Sequence, residues 1–177
     1  MRINKRSALR ALAGSACAVA TPWLQASTAA SAPVAAPTAA APGQLVAWPE
    51  VALLDGQPLA PATWRGQAAV VVFWTTTCPF CRRHNQHVEK LHRAVAGKPL
   101  RVLGVARERD AAAVRRYVQA QGYTFPITLD HLPMARALSM RRIIPLTTTV
   151  DRQGRLQQVI PGEMIEEDLL ELLALGG

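Results

Sequence analysis

Two cysteines three residues apart are the groups in this chain best suited to chemistry. Cys78 and Cys81 follow an apolar, β-branched stretch and precede a helical pattern. If Cys78 is the N-cap of that helix, Pro79 is its first residue, where a missing N–H costs nothing. The free amides and the positive end of the helix dipole then favour the Cys78 thiolate, which is the reactive form. The sequence therefore predicts a redox dithiol with Cys78 as the nucleophile and Cys81 as the resolving cysteine.

A metal site is the main alternative for these cysteines. His84 and His87 extend the spacing to C-x2-C-x2-H-x2-H. On a helix, however, steps of three residues rotate by about −60° each, so four such groups cannot converge on one ion. We therefore expect no metal and no bound cofactor, and a Cys78–Cys81 disulfide as the redox group. The alternative from another class is a copper-binding or copper-delivery protein, but the methionines that would support it are dispersed along the chain.

The N-terminal part has the layout of an export signal. Residues 1–30 combine a basic start, an apolar middle and small residues at several candidate cleavage points. An uncleaved N-terminal anchor is the second reading, although the apolar stretch is short for a membrane span of about 20 residues. Residues 31–44, rich in Ala and Pro, are expected to be a flexible linker, and 45–177 to form the domain. We therefore expect a periplasmic protein that touches the membrane only through such an anchor.

Charge and cysteine count restrict the function further. The formal net charge of +8 falls to +4 once the four basic residues of 1–30 are removed, and only Cys78 and Cys81 remain. A chain with one close pair and no other cysteine has no framework of structural disulfides, so the pair is there to react. The arginine pairs at 82–83, 115–116 and 141–142 are scattered, and each is expected to be a solvated face. We therefore expect no nucleic-acid binding.

The apolar periodicity predicts alternating strands and helices, followed by a hairpin and a last helix. We predict strands at 51–54, 57–59, 69–74, 100–106, 124–129, 146–150 and 155–160, and helices at 79–96, 110–121, 133–140 and 163–175. This order is typical of an α/β sandwich with a mixed sheet.

Several spaced motifs match a known family. Besides the cysteines, Phe125-Pro126, Ile144-Pro145-x-Thr147 and Asp151-Arg152-x-Gly154 occur in the same order. On these motifs, residues 45–177 resemble thioredoxin-like proteins of the TlpA/ResA/CcmG type, including the ScsD-like subgroup. The resemblance implies a thioredoxin fold, in which helices flank a mixed central sheet. It also implies an N-terminal hairpin extension and an inserted helix-strand segment near 110–130.

The same resemblance implies the function. It points to an extracytoplasmic thiol–disulfide oxidoreductase that exchanges disulfides with protein clients, usually in the reducing direction. We expect a membrane-bound redox partner to reset the dithiol. A disulfide-introducing oxidase or an isomerase-like protein is the alternative direction, which a low thiol pKa would favour.

The resemblance also identifies residues that shape the site. Pro145 is expected to be a cis proline facing the disulfide, and the Ile144 backbone to offer a docking edge for an extended client segment. Pro79 and Phe80 lie between the cysteines, where Phe80 is either a client contact or an apolar tip.

Three positions depart from the family pattern. Thr77 stands where Trp is usual, His84 where many members have Glu, and Val72 where thioredoxin has a buried Asp. Thr77 and His84 are therefore candidate tuning residues. A histidine can change charge near neutral pH, but one turn further along a helix it is more often simply solvated.

Overall fold

A computed structural model describes residues 39–177 of the chain. The predicted signal peptide at 1–30 and the first part of the predicted linker, 31–38, lie outside the described residues. Between residues 39 and 177, no helix is both long enough and apolar enough to cross a membrane.

The described part alternates strands and helices as the periodicity predicts. The strands are β1 (Val51–Ala52), β2 (Pro58–Leu59), β3 (Ala68–Trp74), β4 (Leu100–Ala106), β5 (Ile127–Thr128), β6 (Leu146–Val150) and β7 (Leu156–Pro161). The α-helices are α1 (Pro79–Ala94), α2 (Ala111–Gln121), α3 (His131–Leu138) and α4 (Glu166–Glu171), and short 3-10 helices occupy Pro61–Trp64 and Leu172–Gly176.

Five strands form a mixed sheet in the order β5-β4-β3-β6-β7. The strands β3, β4 and β5 are parallel, whereas β6 is antiparallel to both β3 and β7. The short hairpin of β1 and β2 forms a separate two-stranded sheet, and α2 with β5 makes the inserted segment. This is the thioredoxin fold with the two additions that the resemblance implies.

The central strand β3 is covered on both faces, and all seven of its residues are fully buried. Val70, Val72 and Trp74 face a cluster that includes apolar side chains of α1, α2 and α4. Ala69, Val71 and Phe73 face a second cluster that includes side chains of α3. Burial of one large apolar side chain stabilises the folded state by about 1.5–3 kcal/mol. Because both faces of β3 are covered, every position of the strand gains from an apolar residue, and the run is unbroken.

Gly104 in β4 lies where the first cluster leaves no space for a side chain. A Cβ atom at this position would stand 2.7 Å from Phe125 Cε2 and 3.0 Å from Trp74 Nε1. Trp74 and Phe125 each lie against the ring of Tyr123, at centroid separations of 6.3 and 5.3 Å. The glycine therefore allows an aromatic group to pack directly on the strand.

The boundaries of three helices differ from the sequence prediction. The helix expected at 79–96 ends at Ala94. The helix expected at 133–140 begins at His131 and ends at Leu138. The closing helix begins at Glu166 rather than at 163, because Glu163 and Met164 bind side chains of α1 instead of starting a helical turn. Its last turns are a 3-10 helix.

The end of the predicted linker contacts the domain. The Ala40 amide donates to Ala137 O at 3.2 Å and the Gly43 amide to Leu156 O at 2.7 Å, while Gln44 O accepts from Leu156 N at 2.9 Å. Residues 40–44 therefore already contact the domain, because their backbone groups pair with the first residue of β7 and with α3.

Starting the chain at residue 45 should destabilise the domain. Three backbone hydrogen bonds are lost relative to a chain that starts at 39, and each contributes roughly 0.5–1.5 kcal/mol. We expect the free energy of unfolding, measured in urea, to fall by about 1.5–4.5 kcal/mol while cooperativity is kept. Equal midpoints for the two chains would show that residues 39–44 add nothing to stability.

Candidate active site

The two cysteines lie where β3 passes into α1. Cys78 has extended backbone angles, φ −90° and ψ 111°, and Pro79 is the first helical residue after it. The Cys81 amide donates to Cys78 Sγ at 3.1 Å. Cys78 is therefore the N-cap of α1, as the sequence predicts, and its sulfur accepts one of the free amides of the first turn.

The two sulfurs form a disulfide, with the Cα atoms 5.2 Å apart. Cys81 is completely buried, whereas Cys78 is half-buried. Of the two cysteines, only Cys78 is therefore exposed to solvent at all. This asymmetry suits the predicted roles of nucleophile and resolving cysteine.

Pro145 lies immediately before β6 and brings a further segment of the chain to the site. The Ile144–Pro145 peptide bond is cis, as the resemblance implies. Because Phe73 pairs with Leu146, the residue before β6 stands beside the end of β3, from which the cysteine loop begins. Ile144 and Cys78 both pack against the same core cluster.

The loop before Cys78 is tied to the loop after β4. Both the amide and the hydroxyl of Thr76 donate to Glu108 Oε1, the amide at 3.0 Å. Thr77, by contrast, is exposed, and its hydroxyl lies 3.5 Å from that of Thr75. The structure thus gives Glu108 a contact that the sequence had not indicated, and a tuning role for Thr77 stays a prediction.

Phe80, between the cysteines, is 56% exposed. The guanidinium of Arg83 lies 4.9 Å from the centre of its ring and is paired with Glu163 at 2.7 Å. Phe80 is therefore an apolar surface next to Cys78 that is available to another molecule.

Arg107, one residue beyond β4, holds the segment that leads to Pro145. Its Nη1 donates to Arg142 O at 2.9 Å and its Nη2 to Arg141 O at 2.7 Å. The guanidinium also lies 5.0 Å from the centre of the Phe73 ring. Partial burial lowers the pKa of Arg107, which nevertheless stays charged at neutral pH. No local sequence pattern singled out Arg107, although an arginine just beyond a buried parallel strand is a recognisable signal.

His84 is not solvated, so that part of the expectation was wrong. The side chain is completely buried, because it lies between α1, β6 and the segment before α4. The Met164 amide donates to its Nδ1 at 3.0 Å, so the ring proton is on Nε2, which donates to Thr147 Oγ1 at 3.1 Å. Burial lowers the pKa of His84 to about 4. The imidazole is therefore neutral at pH 7, and neither nitrogen is free to bind a metal.

The inserted segment is anchored to α1 at Glu89. The buried carboxylate of Glu89 accepts from the Thr124 amide at 2.7 Å, from its hydroxyl at 2.6 Å and from Arg93 Nε at 2.8 Å. Burial by itself would raise the pKa of Glu89, but these hydrogen bonds and the charge of Arg93 outweigh it, and the pKa is lowered. In the same segment, the Tyr123 hydroxyl donates to Arg82 O, in the residue after Cys81, at 3.1 Å.

The family model described as Redoxin matches residues 34–173. The chain belongs to the Redoxin family. Two thiol-disulfide oxidoreductases named ResA are among its relatives. The ResA of Halalkalibacterium halodurans is 28% identical over 123 residues, which are 69% of each chain. The ResA of Geobacillus kaustophilus is 29% identical over 118 residues, 66% of this chain and 67% of the relative.

Solved structures of this redoxin's fold extend the comparison. A thiol:disulfide interchange protein of Chlorobium tepidum superposes with a TM-score of 0.67 at 23% identity, over 79% of this chain and 96% of the other. StoA of Bacillus subtilis superposes with a TM-score of 0.59 at 23% identity, over 69% and 92% of the two chains. At these identities the superpositions establish the thioredoxin fold. With the Redoxin match and the ResA relatives, the chain is a thiol–disulfide oxidoreductase with a Cys78–Cys81 disulfide.

His84 should make the redoxin domain less stable in acid. Its pKa in the folded state, about 4, is below the value of about 6.5 in an unfolded chain. Between these values the unfolded state binds more protons, so stability is complete above pH 6.5 and falls as the pH drops towards 4, by at most roughly 3 kcal/mol. His84→Gln, which keeps a donor and an acceptor but does not titrate, should have a shallower fall than the wild type in urea unfolding across this range. His131→Gln is the control, and equal slopes for wild type and His84→Gln would contradict the prediction.

Arg107→Met should loosen the segment before Pro145. Two carbonyl oxygens lose a charged donor, and because the guanidinium is half-exposed we expect a loss of about 1–2 kcal/mol in the free energy of unfolding. We also expect KM for a protein client to rise more than kcat falls, since the segment borders the docking side. Arg115→Met is the matched control, because Arg115 likewise donates to a carbonyl, that of Leu54 at 2.9 Å. If the two variants exchanged disulfides at the same rate, Arg107 would have no positioning role.

Proposed function

We propose that this redoxin is a periplasmic protein-disulfide reductase. The observation that carries the proposal is the asymmetry of the disulfide, with Cys78 half-buried at the N-cap and Cys81 fully buried. The export layout of residues 1–30 supports the location. The resemblance to the TlpA/ResA/CcmG type supports the reducing direction. No cofactor is needed, because the cysteine pair itself carries two electrons.

The reduced protein would act in two exchange steps. The Cys78 thiolate attacks one sulfur of a client disulfide; that bond breaks, and the first client thiolate leaves and takes a proton from solvent. Cys81 then loses its proton and attacks Cys78 Sγ, which releases the second client thiolate and forms the Cys78–Cys81 disulfide. The client gains two electrons and the protein loses two. A membrane-bound redox partner of the same chemistry returns the protein to the dithiol form.

The residues around the cysteines have proposed roles in docking and positioning. Phe80, exposed beside Cys78, would contact the client, and the Ile144 backbone before cis Pro145 would pair with an extended client segment. His84 would tune the site by position rather than charge, because a neutral ring that links α1 to Thr147 holds the helix against β6. Pro79 begins α1, where its fixed φ suits the first turn, and it would hold Cys78 at the N-cap.

Disulfide introduction is the second candidate, and a specific observation favours it. Arginines lie on the three segments that border the disulfide loop, at the start of α1, after β4 and before β6. Positive charge near a thiolate stabilises it and hence the reduced form of the pair. The reduction potential of the Cys78–Cys81 couple decides between the two. A value close to about −270 mV would mark a reductant, and one close to about −120 mV an oxidant.

Replacing each cysteine in turn tests the assignment of roles. Cys81→Ser should accumulate a mixed disulfide with a client through Cys78, because no resolving thiol is left. Cys78→Ser should accumulate little, because the remaining sulfur is buried. The complexes are counted on non-reducing gels after mixing with a disulfide-bonded client such as insulin. Faster alkylation of Cys81 than of Cys78 at pH 6 in the reduced wild type would reverse the roles.

A further inference from the structure

Six arginines lie on three segments, distant in sequence, that border the disulfide loop: the start of α1, the loop after β4 and the segment before β6. We call this group the arginine rim, and it consists of Arg82, Arg83, Arg107, Arg109, Arg141 and Arg142. Arg107 is half-buried and the other five are exposed. Arg82, Arg83, Arg141 and Arg142 are solvent-exposed, as predicted, and the fold brings their two segments to the edge of the sheet where β3 ends and β6 begins.

A chain of contacts joins the rim to Cys78. Arg82 and Arg83 lie on the first turns of α1, directly after the cysteine. Thr76, in the loop before the cysteine, binds Glu108, the neighbour of both Arg107 and Arg109. Arg107 in turn binds the carbonyl oxygens of residues 141 and 142, next to Ile144. The three rim segments therefore meet on the side of the domain where Cys78 is accessible.

Three acidic groups lie near the rim and offset part of its charge. Glu163 is paired with Arg83, and this is the only ion pair of a rim arginine between residues 39 and 177. Glu108 accepts from Thr76, and Asp110 caps α2 by accepting from the Ala112 and Ala113 amides at 2.9 and 3.0 Å. Six arginines against these three carboxylates leave three positive charges in excess, so a segment that approaches Cys78 meets a net positive surface.

The rim surrounds exposed apolar side chains. Phe80 is 56% exposed, Met140 59% and Ile143 50%. Met140 and Ile143 flank the arginine pair at 141–142 in the chain, and the Arg83 guanidinium lies 4.9 Å from the centre of the Phe80 ring. An apolar patch framed by unpaired charge of one sign is complementary to a segment with apolar residues and charge of the other sign.

We propose that the client segment that docks beside Cys78 is acidic: an extended protein segment with Asp or Glu close to its cysteine. This inference rests on the proposed exchange of disulfides with protein clients, and it specifies which clients are preferred. The carboxylates pair with the exposed arginines, and the apolar residues of the segment cover Phe80 and Ile143. The positive potential also steers such a segment to the site, so that its rate of exchange depends on ionic strength.

Three synthetic clients test the inference. Each is an extended peptide with one internal disulfide and the same apolar residues, and the positions around the cysteines carry Glu, Gln or Lys. We expect the pre-reduced protein to exchange with the Glu peptide about tenfold faster than with the Gln peptide at 20 mM NaCl, and with the Lys peptide more slowly still. At 1 M NaCl, where the screening length is about 3 Å, the exchange rates of the Glu and Gln peptides should differ by less than about twofold.

A pair of charge-matched double variants locates the effect. The double variant with Arg109→Gln and Arg142→Gln should exchange with the Glu peptide only about threefold faster than with the Gln peptide. Lys98→Gln with Arg101→Gln removes the same charge at the other end of β4, about 20 Å away by strand rise, and should leave the ratio unchanged. Equal rates for the Glu and Gln peptides, or equal effects of the two double variants, would overturn the inference.

A binding measurement separates this inference from the proposed function. If none of the three peptides were reduced, the proposed function would fail, and the rim would be tested by fluorescence anisotropy with versions of the peptides that have Ser for Cys. Tighter binding of the Glu version to the oxidised wild type, lost in Arg109→Gln with Arg142→Gln, would support the docking surface by itself. Equal affinities for the Glu and Gln versions would overturn it.

Discussion

Burial of β3 on both faces is the constraint on which the rest of the structure depends. A strand covered on both sides has no position for a polar reacting group in its interior, and its seven residues are accordingly all apolar. Chemistry is possible only where the strand ends and the backbone leaves the core. Because β3 and β4 are parallel, their carboxyl ends lie at the same edge of the sheet. Cys78 follows one of them, and Arg107 and Glu108 follow the other.

The antiparallel strand β6 completes the site because it runs the other way. Its first residues, rather than its last, lie at the edge where β3 ends, so the segment with Ile144 and Pro145 arrives beside the disulfide. This segment has no regular secondary structure between α3 and β6, and its carbonyl oxygens are instead held by the guanidinium of Arg107. The loop of the redox pair and the Ile144–Pro145 segment are thus positioned by hydrogen bonds made across elements that are far apart in sequence.

Buried polar groups connect the helix of the site to its surroundings. His84 bonds to β6 and to the segment before α4, and Glu89 bonds to Thr124 beyond α2. A buried polar group without a partner costs about 1–3 kcal/mol, so each of these groups favours one placement of α1 over shifted alternatives. The site therefore gains a defined geometry from interactions that the apolar core, which is non-directional, does not supply. The same burial keeps His84 neutral, and any tuning of the thiols by this residue is structural.

The sequence by itself determined the elements and the reacting groups. The periodicity predicted the order of strands and helices, and the Cys-Pro-Phe-Cys spacing predicted the N-cap cysteine, because N-caps and first-turn prolines follow from local backbone geometry. The resemblance added the cis proline. Helix ends at 131 and 166 were misplaced, because contacts with other elements decided them. The tertiary structure alone decided that His84 is buried, that Arg107 holds the Pro145 segment, and that three arginine-bearing segments meet around Cys78. These facts depend on which strand ends share an edge of the sheet, and such long-range pairing is not encoded in the local pattern of residues.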